Sequence, residues 1–176
     1  MRDHDRPVSD QGRQQAAQVA KMLKERGWTP DLVLASNSKR TKQTLDEMAE
    51  VMHELADVDA HYYGSLYTVA ALDGQTRDHI VECLLEVCDD ARNRVIMCVG
   101  HNKGWEEAAS QLAGQAVKLR TASAALLQCY APSWKDVLKL PNKEEGAEQQ
   151  GPGAAAAAKA AAVQWQLVEV VTPQVV

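Results

Sequence analysis

The sequence has no block of basic residues. Its net charge is −5 and its pI about 5.5. That balance argues against general nucleic-acid binding and against docking on anionic membranes. It has no run of about 20 apolar residues, the length a bilayer requires, so a soluble chain with no membrane partner is expected. No signal peptide is expected from Met1-Arg2-Asp3-His4-Asp5-Arg6, which is charged from the first residue. Cysteine is scarce: Cys83, Cys88, Cys98 and Cys129 form no Cys-x-x-Cys pair and show no metal-ligand spacing. They read as reduced, mostly buried thiols of an intracellular protein, and no metal or other cofactor is expected. What remains is a 176-residue chain, enough for one domain with a sizeable core.

The chain then reads as alternating helices and strands. Ser9-Asp10-Gln11-Gly12 is a turn or helix-cap signal. Ala16, Val19, Ala20 and Leu23 recur at helical spacing, which predicts a helix over 12–26 that stops at Gly27. Leu32-Val33-Leu34-Ala35-Ser36 is a short apolar strand, and Ser36-Asn37-Ser38 caps a second helix over 39–55. Residues 57–73 look irregular, with a possible edge strand at Ala60-His61-Tyr62-Tyr63. A third helix begins near Thr76. Val95-Ile96-Met97-Cys98-Val99 is a β-branched apolar run that reads as a buried strand, and Gly100-His101-Asn102 closes it. A fourth helix is expected over 105–112, ended by Gly114, and strands over 122–130 and 164–171. Residues 141–153 are charged and rich in Pro and Gly, so a solvated linker is expected there. The alanine run over 154–162 has little to bury and reads as a poorly ordered insertion. The alternation predicts one three-layer α/β domain over 1–176, interrupted by an insertion at about 141–162.

Two features bear chemistry. Arg40 falls in the first turn of the helix after the strand 32–36, and His101 follows the strand 95–99. In an open α/β sheet, ligands bind outside the carboxyl ends of the strands, so a parallel sheet brings both residues to one crevice. A guanidinium and an imidazole near helix N-termini suit a phosphate or another oxyanion. A surface ion pair for Arg40 and a capping role for His101 are the plain alternatives.

Several blocks, in order, resemble a known family. They are Asp5-Arg6-Pro7-Val8-Ser9-Asp10-Gln11-Gly12, Pro30-Asp31-Leu32-Val33-Leu34-Ala35-Ser36, Arg40-Thr41-Lys42-Gln43-Thr44 and Val99-Gly100-His101-Asn102-Lys103-Gly104. Ser65-Leu66-Tyr67, Arg120-Thr121-Ala122-Ser123-Ala124 and Trp165-Gln166-Leu167 with Thr172-Pro173 are similar too. Together they look like the histidine phosphatase superfamily, nearest its small phosphohistidine phosphatases of the SixA type. The resemblance implies a phosphoglycerate mutase-like αβα fold with a mainly parallel sheet. It implies phosphoryl transfer to a histidine followed by hydrolysis. It makes Arg40 and His101 catalytic ligands of the phosphoryl oxygens, with Asn102 beside them in substrate binding. The implied partner is a phosphorylated protein or a small phosphorylated substrate; oligomeric state is left open.

One motif of the family is missing. No Arg-His-Gly or Arg-His-Ala occurs, so the family's nucleophile has no counterpart. His4 lies in the Asp3-His4-Asp5 loop and reads as an exposed loop histidine. His53, His61 and His79 fall outside every block and read as surface or interface residues, and Asp73 and Glu106 are weak general-acid candidates. The strand that would bear the nucleophile is expected between 32–36 and 95–99. Without it, those strands would expose unpaired edges or close on each other. Three readings follow: an incomplete copy of an active histidine phosphatase, inactive as written; a phosphate-binding pseudophosphatase; or an interaction protein using its helical faces and alanine-rich insertion.

Overall fold

The computed structural model describes residues 3–69, 76–138 and 165–174. The linker and alanine run expected over 141–162 lie outside them.

A 3-10 turn at Asp3–Asp5 leads into helix α1, Asp10–Glu25. Ser9 caps α1, its Oγ accepting from the Gly12 N–H at 3.1 Å. Strand β1 is Leu32–Ser36, and helix α2 is Lys39–Ala49, capped by Ser38. The helix expected to reach residue 55 ends six residues sooner. Met52 leaves helical geometry at φ −106° to become fully buried, and a separate 3-10 turn follows at His53–Asp57. Strand β2 is Asp59–Tyr63. The stretch read as irregular holds a short helix α3, Ser65–Val69. Then come α4, Thr76–Val87, strand β3, Ile96–Val99, and α5, Asn102–Ala113. Helix α5 starts three residues before the expected position, directly after His101, and Gly114 closes it at φ +64°. Strand β4, Ala124–Gln128, a short helix α6, Trp134–Val137, and strand β5, Gln166–Val171, complete the order.

Strands β2, β1 and β3 form a parallel sheet in that order. Leu32 pairs with Ile96 and Ala35 with Val99, so no strand separates β1 from β3. Of the two outcomes foreseen for these strands, they have closed on each other. The Asp31 carboxylate locks their starts together by accepting from the N–H groups of Arg94 at 2.8 Å and Val95 at 3.2 Å. Strands β4 and β5 form a separate antiparallel pair with an irregularity between Leu126 and Leu127.

Side chains of β1 alternate between two cores, as strand geometry requires. Val33 and Ala35 meet Ala16, Val19, Leu23, Leu45 and Met48 of α1 and α2, joined by Leu126 and Val171. Leu34 meets Leu66, Ile80, Val81, Leu84 and Ala108 of α3, α4 and α5 on the other face. Helices thus cover both faces, which is the three-layer α/β architecture the alternation predicted. Strand β3 departs from expectation in exposure. All four of its residues keep part of their surface, because among the described residues it is paired along one edge only.

Candidate functional site

The parallel register carries the ends of β1 and β3 to the same side. Ser36 and Asn37 leave β1 there, and Gly100 and His101 leave β3. Ser38 caps α2 with its Oγ toward the Thr41 N–H, which fixes the first turn and hence Arg40. Gly100 is required by close approach, since a Cβ on it would overlap the Trp105 indole.

Arg40 and His101 meet. Arg40 Nη2 lies 3.2 Å from His101 Nδ1, and His101 Nε2 lies 2.9 Å from Ser36 Oγ. Arginine can only donate, so Nδ1 accepts, and Nε2–H is the donor to Ser36. Burial, and then the Arg40 charge, push the His101 pKa below its ordinary 6.5. His101 is therefore a neutral imidazole at pH 7, in one tautomer set by two partners.

The amino-terminal turn folds over this pair. Asp3 Oδ1 accepts from Arg40 Nη1 at 3.1 Å and Oδ2 from Nη2 at 3.0 Å, while the Asp3 carbonyl accepts from Nη1 at 3.0 Å. Tyr67 Oη donates to Asp3 Oδ2 at 2.7 Å. These donors, Arg40 foremost and Tyr67 next, hold the Asp3 carboxyl far below the usual carboxylate range. The Tyr67 ring stands edge-on between two histidines, 4.9 Å from His101 and 5.2 Å from His4.

His4 is thus not the exposed loop histidine expected. It is half-buried, with Nε2 2.8 Å from Asn37 Oδ1, because the 3-10 turn tucks it against the end of β1. Hydrogen bonds to Asn37 and then Asp5 raise its pKa above 6.5. An Asn oxygen accepts, so His4 Nε2 carries a proton there and has no lone pair to offer.

The other sequence candidates fall elsewhere. Asn102 is exposed at the first position of α5; among the described residues its side chain bonds neither Arg40 nor His101. Glu106 accepts from the Leu119 N–H at 2.8 Å and from Lys118 Nζ at 3.1 Å, and these contacts lower its pKa. It holds the 118–119 segment and is a poor proton donor near neutrality. Asp73 lies outside the described residues. His53 is exposed; His61 is half-buried on β2, and His79 is half-buried with Nε2 2.8 Å from Ser65 Oγ. Sequence reasoning missed Asp3 and the role of Tyr67. Tyr67 had a signal in its Ser65-Leu66-Tyr67 block, whereas nothing in the sequence singled out Asp3. No group of three or more potential metal ligands occurs among the described residues. No helix among them is long and apolar enough to cross a membrane.

This architecture is the phosphoglycerate mutase-like αβα fold. A structure of a putative phosphohistidine phosphatase SixA from Nakamurella multipartitia superposes with TM-score 0.67 at 20% identity, covering 98% of this chain and 88% of that one. A protein histidine phosphatase SixA complexed with tungstate gives TM-score 0.56 at 18% identity, covering 72% and 78%. Residues 1–63 match the model of the histidine phosphatase superfamily, branch 1. It is 44% identical over 140 residues to an uncharacterized chloroplastic protein of Arabidopsis thaliana, covering 80% of this chain and 64% of that relative.

Proposed function

We propose that Arg40, His101 and Tyr67 form an oxyanion pocket that holds the phosphoryl group of a phosphohistidine or a phosphomonoester. The observation that carries this reading is the 3.2 Å contact between Arg40 Nη2 and His101 Nδ1 at the carboxyl ends of two paired parallel strands. A guanidinium supplies paired donors matched to two oxygens of a phosphoryl group. His101 would gain a proton as the anion arrives, since a nearby negative charge favours the imidazolium. Asn102 sits beside the pocket as a substrate-binding residue in this reading. Its exposed position at the start of α5 suits contact with a large phosphoprotein better than with a buried small molecule.

Two substrates fit the chemistry: phosphohistidine on a protein and a small phosphomonoester. That a SixA phosphatase of similar fold was solved in complex with tungstate, a tetrahedral oxyanion, supports an anion-holding role. No Arg-His-Gly or Arg-His-Ala occurs in these 176 residues, and the His4 Nε2–H is engaged as a donor. The 176 residues as they stand are therefore read as the oxyanion-holding part of a histidine phosphatase that binds without turning over.

Calorimetric titration with inorganic phosphate tests the pocket. Arg40→Ala removes charge-assisted bonds and should weaken binding by about tenfold or more. Equal affinity in the two chains would remove the pocket from consideration. Release of phosphate from phosphohistidine by the unaltered chain would overturn the binding-only reading while leaving the pocket intact.

A further inference from the structure

We propose that the pocket carries its own anion: the Asp3 carboxylate occupies the oxyanion site, and an external phosphate or carboxylate ligand binds by displacing it onto the same donors, Arg40 and Tyr67. This rests on the oxyanion pocket argued above.

The donor count makes the case. A guanidinium has two N–H groups on each Nη. Arg40 Nη1 gives both to Asp3, one to the backbone carbonyl and one to Oδ1. Nη2 gives one to Asp3 Oδ2 and the other to His101 Nδ1. No Nη donor is left for an incoming anion until Asp3 moves. The carboxylate meets the guanidinium end-on as a two-pronged fork across Nη1 and Nη2, an arrangement by which arginine can also take two oxygens of a phosphate. Tyr67 Oη then adds a donor to the same oxygen that faces Nη2, so this carboxylate receives three side-chain donors within 3.1 Å.

The occupant is built to leave. The turn Asp3–Asp5 contributes no buried residue. The Asp3 side chain keeps 50% of its surface, and Arg40 keeps 32%. An ion pair open to water is weak and screened by salt, so the contact is strong in geometry yet cheap to exchange. Because its carboxyl is held well below the ordinary range, Asp3 stays charged and competes throughout the neutral range. A phosphate dianion carries more charge than a carboxylate and offers a third oxygen toward His101, which favours it over Asp3 once it is present.

Asp3→Asn keeps the shape of the side chain and removes its charge. In titrations with inorganic phosphate it should tighten binding about threefold to tenfold, the factor by which an exposed ion pair taxes a competing ligand. Tyr67→Phe, placed on the Asp3→Asn background, should lose part of that affinity. Unchanged or weaker binding in Asp3→Asn overturns the self-occupied site, and unchanged binding in the double variant overturns the role of Tyr67. If Asp3→Asn with Arg40→Ala binds phosphate as tightly as Asp3→Asn alone, the pocket reading itself has failed. No binding by Asp3→Asn overturns both readings. A second measurement uses the unaltered chain. The Arg6 N–H bonds the Asp3 carbonyl at 3.2 Å, so saturating phosphate should speed hydrogen exchange at Arg6. Binding that leaves Arg6 exchange unchanged shows that Asp3 was not displaced.

Discussion

Strands β1 and β3 run side by side in the same direction and both end at the Arg40–His101 pair, yet they differ in depth. In β1, Leu32, Val33, Leu34 and Ala35 are between 0% and 2% exposed. In β3, Ile96, Met97, Cys98 and Val99 all keep part of their surface. Composition does not explain this, since both runs are apolar. Neighbours do: β1 is paired on two edges and packed on two faces, whereas β3 is paired along one edge among the described residues. The difference teaches that the site is hung from β1. Ser36, Asn37 and the Ser38 cap that sets Arg40 all follow β1, and β3 delivers only His101 against them.

The largest test of that comparison is truncation in each strand. Leu34→Ala should cost about 2–5 kcal/mol, and Val99→Ala, at a partly buried position, about 1 kcal/mol or less. Urea denaturation measures both, and equal losses would erase the distinction. Next comes the end of β3. Gly100→Ala drives a methyl into the Trp105 indole and should cost about 1–3 kcal/mol. A neutral result there would mean that the indole can step aside. Smaller still is Ser36→Ala at the end of β1, which leaves the His101 Nε2–H without its 2.9 Å acceptor and should cost about 1 kcal/mol.

The most delicate contrast is between the two histidines that β1 and β3 hold. Proton NMR titration should find His101 below 6.5 and His4 above it. The signs for stability are opposite. His101 contributes stability that is full above 6.5 and is lost as pH falls from 6.5 through its lowered value. His4 contributes stability that is full below 6.5 and is lost as pH rises through its raised value. Phosphate should move the His101 titration upward. Reversed order of the two titrations would break the assigned partners.

The strands, the capped helices and the meeting of Arg40 with His101 were legible from local pattern. Ser38 before Lys39 marks a cap, the run 32–36 marks a strand, and strand ends in a parallel sheet converge. The end of α2 was not legible, because Val51 and Met52 continue the apolar period while Met52 turns inward to a buried site. The exposure of β3 was hidden for a related reason: an apolar run reports what a strand could bury, not how many neighbours it has. Asp3 and His4 were invisible as site residues because they reach Arg40 and Asn37 across more than thirty positions, through a turn with no periodicity.

The chain has four tryptophans, and one of them stands beside His101. Trp105 lies over Gly100 with its ring 6.4 Å from that of His101, whereas Trp134 and Trp165 face each other on the α4–α5 side of the sheet. An imidazolium accepts an electron from an excited indole far more readily than a neutral imidazole does. If an anion binds as proposed and favours the imidazolium at His101, the emission of Trp105 should fall, a loss of light that stopped-flow fluorescence can follow.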